Sequence, residues 1–215
     1  MSKNTTKQPE NIYVHQSDLP EWVKIEDYPS VAIDTESMGL FHERDRLCLI
    51  QLTFDGKNCH LVQFQANNLQ ESPKLIRLLE NKKIQKIFHF ARFDCGLLFH
   101  TFGVMTNNIY CTKIASKLAR TYTEKHGLKT LCNELLGMEI SKKEQSSDWG
   151  KSVLTQEQKN YAAGDVLYLH EIRDKLNEML EREGRKNLAI ECFEALKCII
   201  KLDGSGWSEN LFAHL

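Results

Sequence analysis

The sequence predicts a single α/β domain, a mixed sheet flanked by helices, and three features carry that prediction. Strand-like apolar runs near the start are joined by a hairpin signal, the middle of the chain alternates strand and helix, and the last third is helical. A chain of 215 residues has room for a full core and needs no disulfide or structural metal to fold. Residues 1–11 are polar and are expected to form a disordered tail. The domain is expected over 12–202, with a C-terminal tail over 203–215. VAIDTE (31–36) alternates, with Val31 and Ile33 on one face and Ala32, Asp34 and Glu36 on the other. RLCLIQLTF (46–54) and NCHLVQF (58–64) are two further strands, split by the turn pair Asp55-Gly56.

Pro73 opens a short helix through Glu80, with Leu75, Leu78 and Leu79 on one face. KIQKIFHF (83–90) reads as a buried strand, and Phe93 to Phe102 as a helix stopped by Gly103. A strand near Ile109–Cys111 precedes helices at about 112–121 and 127–136. Thr155 with Gln158 is a capping-box signal opening one long helix toward Arg182, and a last helix covers about 185–201.

Composition narrows the class. Hydrophobic residues at 41% and charged ones at 27% are ordinary for a soluble domain. No run approaches the ~18 apolar residues of a spanning helix, and the N-terminus lacks the apolar stretch of a secretory signal, so no membrane and a cytoplasmic location are expected. The seven cysteines form no C-x-x-C pair and read as reduced core hydrophobes. The net charge of −1 argues against a broad nucleic-acid coating. It hides an asymmetry, because residues 82–151 hold 12 Lys+Arg against 6 Asp+Glu. A local anion-binding surface and a solvated basic face explain that equally well.

Asp34 and Glu36 project to the same face of their strand. On a central strand they would repel and desolvate each other unless they shared a cation, and hard oxygen ligands suit Mg²⁺ or Mn²⁺; on an edge strand they would simply face water. Asp94 follows an apolar strand at a helix start, where a carboxylate also complements the helix dipole. Tyr161 and Asp165 share a helical face at i, i+4. A phenol beside a metal-bound carboxylate can orient or deprotonate a water, or be only an amphipathic core edge.

Together, Asp34-x-Glu36, Asp94 and Tyr161-x-x-x-Asp165 resemble the DEDDy 3′–5′ exonucleases, whose fold is ribonuclease-H-like. SSDWGKSVLTQEQKNYAAGDVLYL looks like the ribonuclease D branch. HERDRLCLIQL, KIFHFARFD, HTFGVM, CTKIASKLARTYT, HGLK, SSDW and GWSENLFAHL together closely resemble the nanoRNase C family, from about Ile12 to the C-terminus. The resemblance implies a 3′–5′ exoribonuclease that cuts very short single-stranded RNA to nucleoside 5′-monophosphates with two divalent metal ions, Mg²⁺ or Mn²⁺; tolerance of DNA stays open. It implies Asp34, Glu36 and Asp165 as main metal ligands, Asp94 as a second-metal ligand partly through water, and Tyr161 as the residue orienting the nucleophile. It also implies a homo-oligomer, an octameric ring, in which the apolar tail would dock.

Gly164 departs from the family's usual Ala or Ser and removes no ligand. Leu40 matches the position where short-oligonucleotide exonucleases wedge a leucine between bases. His89, Arg92 and Lys113 lie near motif residues, placed to meet phosphate or ribose. Lys142, Gln145, Ser146 and Ser147 form a polar loop that is a candidate for the substrate's 5′ phosphate. HGLKT lacks the Gly-Lys of a P-loop, which disfavours nucleotide-triphosphate hydrolysis. Two rivals remain: a ribonuclease D-like exonuclease on longer RNA or DNA 3′ ends, and a non-catalytic binding or scaffold protein, which would be expected to have lost an acid.

Overall fold

The structure is a computed structural model that describes residues 7–65, 71–140, 147–207 and 211. Its strands are β1 (Asn11–Gln16), β2 (Ser30–Ser37), β3 (Leu47–Thr53), β4 (Asn58–Gln63), β5 (Gln85–Phe88) and β6 (Ile109–Cys111). They form one sheet in the order β1-β4-β3-β2-β5-β6. The helices are α1 (Pro73–Glu80), α2 (Ala91–Phe102), α3 (Thr112–Ala119), α4 (Leu128–Leu131), α5 (Gln156–Leu167), α6 (Leu169–Arg182) and α7 (Lys186–Gly204). A wider turn, Cys132–Leu136, continues α4. The mixed, helix-flanked sheet expected from the sequence is what these elements build.

The hairpin forms as expected. β3 and β4 are antiparallel, Gly56 takes φ +67°, and Asp55 Oδ1 accepts from the main-chain N–H groups of Lys57 and Asn58, each at 2.8 Å. β3 is buried along its whole length, as a strand covered on both faces must be. β2 is central, which removes the water-facing alternative for its acids. It pairs antiparallel with β3, setting Asp34 opposite Gln51 and Glu36 opposite Leu49. α5 lies across that face, where Cys59 Sγ donates to Ala163 O at 3.9 Å. On the other side, β2 pairs with β5 only as far as Ala32↔Ile87. The carboxylate-bearing end of β2 therefore runs on past β5, where open sheets place their ligands.

Three features differ from expectation. β1 has no counterpart in the sequence reading; it pairs parallel with β4, and because its outer side chains are largely exposed it carries little apolar periodicity. The chain is held before β1 as well, since Lys7 N donates to the Tyr168 hydroxyl at 2.8 Å. The single helix expected from Thr155 to Arg182 is two, α5 and α6, with Tyr168 (φ −101°, ψ −9°) at the joint. The Thr155–Gln158 capping box is present. Among the described residues, no helix is long and apolar enough to cross a membrane, and all seven cysteines are free thiols.

Candidate active site

The end of β2 and one face of α5 converge on a cleft of about 310 Å³, lined by Asp34, Thr35, Glu36, His89, Gly127, Leu128, Lys129, Ile140, Tyr161 and Asp165. Carboxylate oxygens of Asp34, Glu36 and Asp165 all lie within 4.8 Å of one another, close enough for a divalent cation to bridge them. Asp94 stands one layer behind. It is buried in the first turn of α2 and accepts the Thr35 hydroxyl at 2.7 Å.

The electrostatics are those of carboxylates held together at a cost. Burial raises Asp34 well above the usual carboxylate range, and the charges of Asp94, Asp165 and Glu36 raise it further. Glu36 is pushed up to about 9, by burial first and then by Asp165 and Asp94. Asp94 rises to about 7 through burial, with the Thr35 hydroxyl and main-chain N–H groups pulling the other way. Such a set favours either protons or a cation. Tyr161 hydrogen-bonds Asp165, and burial together with the surrounding carboxylates drives its phenol upward. It is thus fit to orient a water and unfit to deprotonate one. Trp149 stands beside it, ring centroids 6.0 Å apart, which gives the Asp-Trp segment a bracing role.

The other expected contacts divide. His89 lines the cleft, its Nδ1 2.9 Å from Thr112 Oγ1. Leu40 is 78% exposed on the loop after β2, held by a turn in which a Cβ on Gly39 would sit 2.2 Å from the Asp45 carboxylate. Arg92 does not line the cleft; its guanidinium grips Asp203 of α7 through two contacts of 2.7 Å. Lys113 stands 4.2 Å above the Phe90 ring and is not itself among the residues lining the cleft. Ser147 Oγ accepts from Gln158 at 2.8 Å, a structural bond to the α5 cap. Lys142, Gln145 and Ser146 lie outside the described residues. The sequence reading missed Thr35, which looked like a mere spacer between two acids, and Gly127, Leu128 and Lys129, noticed only as a failed P-loop. It also missed the brace behind them. The buried Arg120 donates to Ser116 Oγ at 3.2 Å and Lys125 O at 3.1 Å and pairs with Glu134, while His126 Nδ1 lies 2.9 Å from Ser116 Oγ.

Known proteins resemble this chain in sequence and fold. Brucella melitensis NrnC bound to pGG is 48% identical, with a TM-score of 0.90 over 95% of this chain and 99% of that one. The same protein with bound Mg²⁺ is 47% identical with a TM-score of 0.89, over 95% and 100%. Escherichia coli RNase D is 25% identical with a TM-score of 0.74, over 82% of this chain and 46% of that one, in keeping with the ribonuclease-H-like fold. Ribonuclease D of Sphingobium indicum is 32% identical over 162 residues, 75% of this chain. The chain spans about two-fifths of the length of such curated relatives (41% in that case). The nanoRNase C and ribonuclease D resemblance is thereby borne out, and, with residues 12–181 matching the family described as 3'-5' exonuclease, the chain belongs to the 3′–5′ exonucleases.

Proposed function

We propose that this exonuclease takes very short single-stranded RNA and releases nucleoside 5′-monophosphates from its 3′ end. The carrying observation is the triad of carboxylates within 4.8 Å in a cleft of about 310 Å³, at the small end of ligand sites. A cleft that size suits the end of a strand rather than a long track, and the net charge of −1 leaves little for backbone tracking. Likeness to a protein bound to pGG supports the same length class.

Asp34, Glu36 and Asp165 fit a divalent cation, Mg²⁺ or Mn²⁺, with Asp94 serving a second one partly through water; the mutual repulsion and burial that raise these carboxyls, which a cation would offset, support this. Bound there, the cations would supply charge neutralisation and Lewis acidity at the scissile phosphate. Tyr161, as a protonated phenol, orients the attacking water from its place on Asp165. Leu40, exposed after β2, is the proposed base wedge.

The reading extends to assembly and location. The catalytic domain is 12–202, and the tail 203–215 docks on a neighbour in a closed homo-oligomer, an octameric ring by resemblance to nanoRNase C. Exposed Trp207 and Leu211 support an apolar tail surface; Phe212 and Leu215 lie outside the described residues. Seven free thiols support a reducing, cytoplasmic setting.

The deciding experiment is product length against time on end-labelled RNA and DNA of about 2 to 20 nucleotides, with Mg²⁺ or Mn²⁺. Fastest turnover on the shortest RNA is expected; equal or faster trimming of long 3′ ends would favour a ribonuclease D-like role. Asp34→Ala, Glu36→Ala and Asp165→Ala should each keep less than about a tenth of the turnover. Light scattering of the full chain and of a chain lacking 204–215 tests assembly, and a monomeric full chain would end the ring proposal.

A further inference from the structure

We propose that His89 reads the sugar of the substrate, its Nε2 accepting a hydrogen bond from a ribose hydroxyl of the terminal nucleotide. This rests on the exoribonuclease reading above and assigns one of its specificity contacts.

The inference comes from counting protons around Thr112. The Thr112 side chain is fully buried, and its Oγ1 donates to the Phe88 carbonyl at 3.1 Å. A carbonyl has no proton to give, so the one hydroxyl proton of Thr112 is spent there. With that proton assigned to the carbonyl, the 2.9 Å contact between Thr112 Oγ1 and His89 Nδ1 is closed by a proton on Nδ1. In that tautomer Nδ1 carries hydrogen, and Nε2 is a bare lone pair. With the Nδ1 edge turned toward Thr112, the opposite edge is what His89 brings to the cleft it lines.

The backbone holds this orientation. Phe90, the next residue, takes φ +92°, a left-handed conformation costly for a bulky side chain and common where a site over-determines the chain. It lets β5 end with His89 at the cleft and α2 begin at once, so that Asp94 follows within one helical turn.

An acceptor at this position selects among ligand groups. Phosphate oxygens are acceptors themselves and gain nothing from it. The histidine is not one of the three residues whose ligand atoms cluster within 4.8 Å. It is a poor proton carrier, since burial and then Lys113 hold it down to about 3. The donors that an oligonucleotide end carries whatever its base are the 2′-OH and the 3′-OH of the sugar. A site built to bond a hydroxyl discriminates strongly against the analogue lacking it.

The test compares kcat/KM on a 5′-phosphorylated diribonucleotide with its counterparts lacking the 2′-OH or the 3′-OH of the last sugar. Wild type, His89→Asn and His89→Gln are measured with Mg²⁺, after thermal unfolding has checked each fold. Asparagine can still donate to Thr112 but offers no acceptor where Nε2 stood; glutamine can place its amide oxygen there. The wild-type preference for the full ribose over one deoxy substrate should fall about tenfold in His89→Asn and recover largely in His89→Gln. Loss against the 2′-deoxy substrate identifies the 2′-OH, and loss against the 3′-deoxy substrate the 3′-OH. Equal losses on all three substrates, no recovery in His89→Gln, or a wild type indifferent to both hydroxyls would overturn the proposal. A wild type that cleaves none of the three would instead overturn the exoribonuclease reading, and this contact with it.

Discussion

The Thr35 hydroxyl donates to Asp94 Oδ1 at 2.7 Å, tying the strand that carries two of the acids to the helix that carries a third. It bonds the charged form of the carboxylate and so holds down a pKa that burial raises. Thr35→Val keeps the shape and loses the donor. In EDTA, Asp94 should then titrate above about 7, and the loss of Tm on the alkaline side should move to higher pH. An unmoved loss would show that Asp94 is not held by Thr35 in solution.

Without metal, stability should fall as pH climbs. Glu36 and Asp94 bind protons more tightly folded than unfolded, so the stability they lend is complete below about pH 4. It is lost as pH passes about 7 for Asp94 and about 9 for Glu36. His60 and His170 act in the opposite sense, because burial depresses each to about 4, and acidification from about 6.5 downward favours the unfolded chain. In EDTA, Tm should peak near neutrality and decline toward about pH 9, and added Mg²⁺ should raise Tm most at the alkaline end. Thermal scans across pH with and without Mg²⁺ check this; a rise toward pH 9 in EDTA would contradict it.

Arg120→Met should destabilise the fold by about 2 kcal/mol, less than the roughly 3–5 kcal/mol of a fully buried pair because Glu134 keeps contact with water. Arg120→Lys should recover little, since one ammonium cannot replace a guanidinium spread over several acceptors. The segment behind Gly127–Lys129 loses its brace, so substrate KM should rise along with the drop in denaturant midpoint.

Gly164→Ala should stabilise by about 0.5–1 kcal/mol. The residue sits inside α5, and an added Cβ would meet nothing within 4 Å. Urea unfolding decides the matter, and a loss of stability would mean that α5 needs the glycine for a reason its surroundings do not reveal.

Leu40→Ala should slow dinucleotide cleavage more than cleavage of longer RNA, because a two-base ligand has no other backbone contacts to compensate for a lost wedge. Equal loss at every length would remove Leu40 from the site.

What the sequence made legible follows the range of the interactions involved. The hairpin at Asp55-Gly56, the cap at Thr155 and the stop at Gly103 are local devices, and each forms where its residues announce it. The acids could be read because their order and spacing together resemble the DEDDy exonucleases; taken singly, each had an ordinary alternative. β1 was hidden because pairing with β4, not apolar alternation, makes it a strand. The break at Tyr168 carries no glycine or proline; it belongs to a buried aromatic whose hydroxyl reaches Lys7. Thr35 owes its role to a partner 59 residues away, and Arg92, which looks like a phosphate ligand beside Asp94, is taken up by Asp203 at the far end of the chain.

The placement of Asp165 on α5, laid across a sheet whose strands all precede it in the sequence, also governs when the enzyme exists at all. A chain still leaving the ribosome, complete as far as β6, would hold three of the acids and lack the fourth. The carboxylates of Asp34, Glu36 and Asp165 can gather within 4.8 Å only once α5 has emerged and docked on a sheet already made.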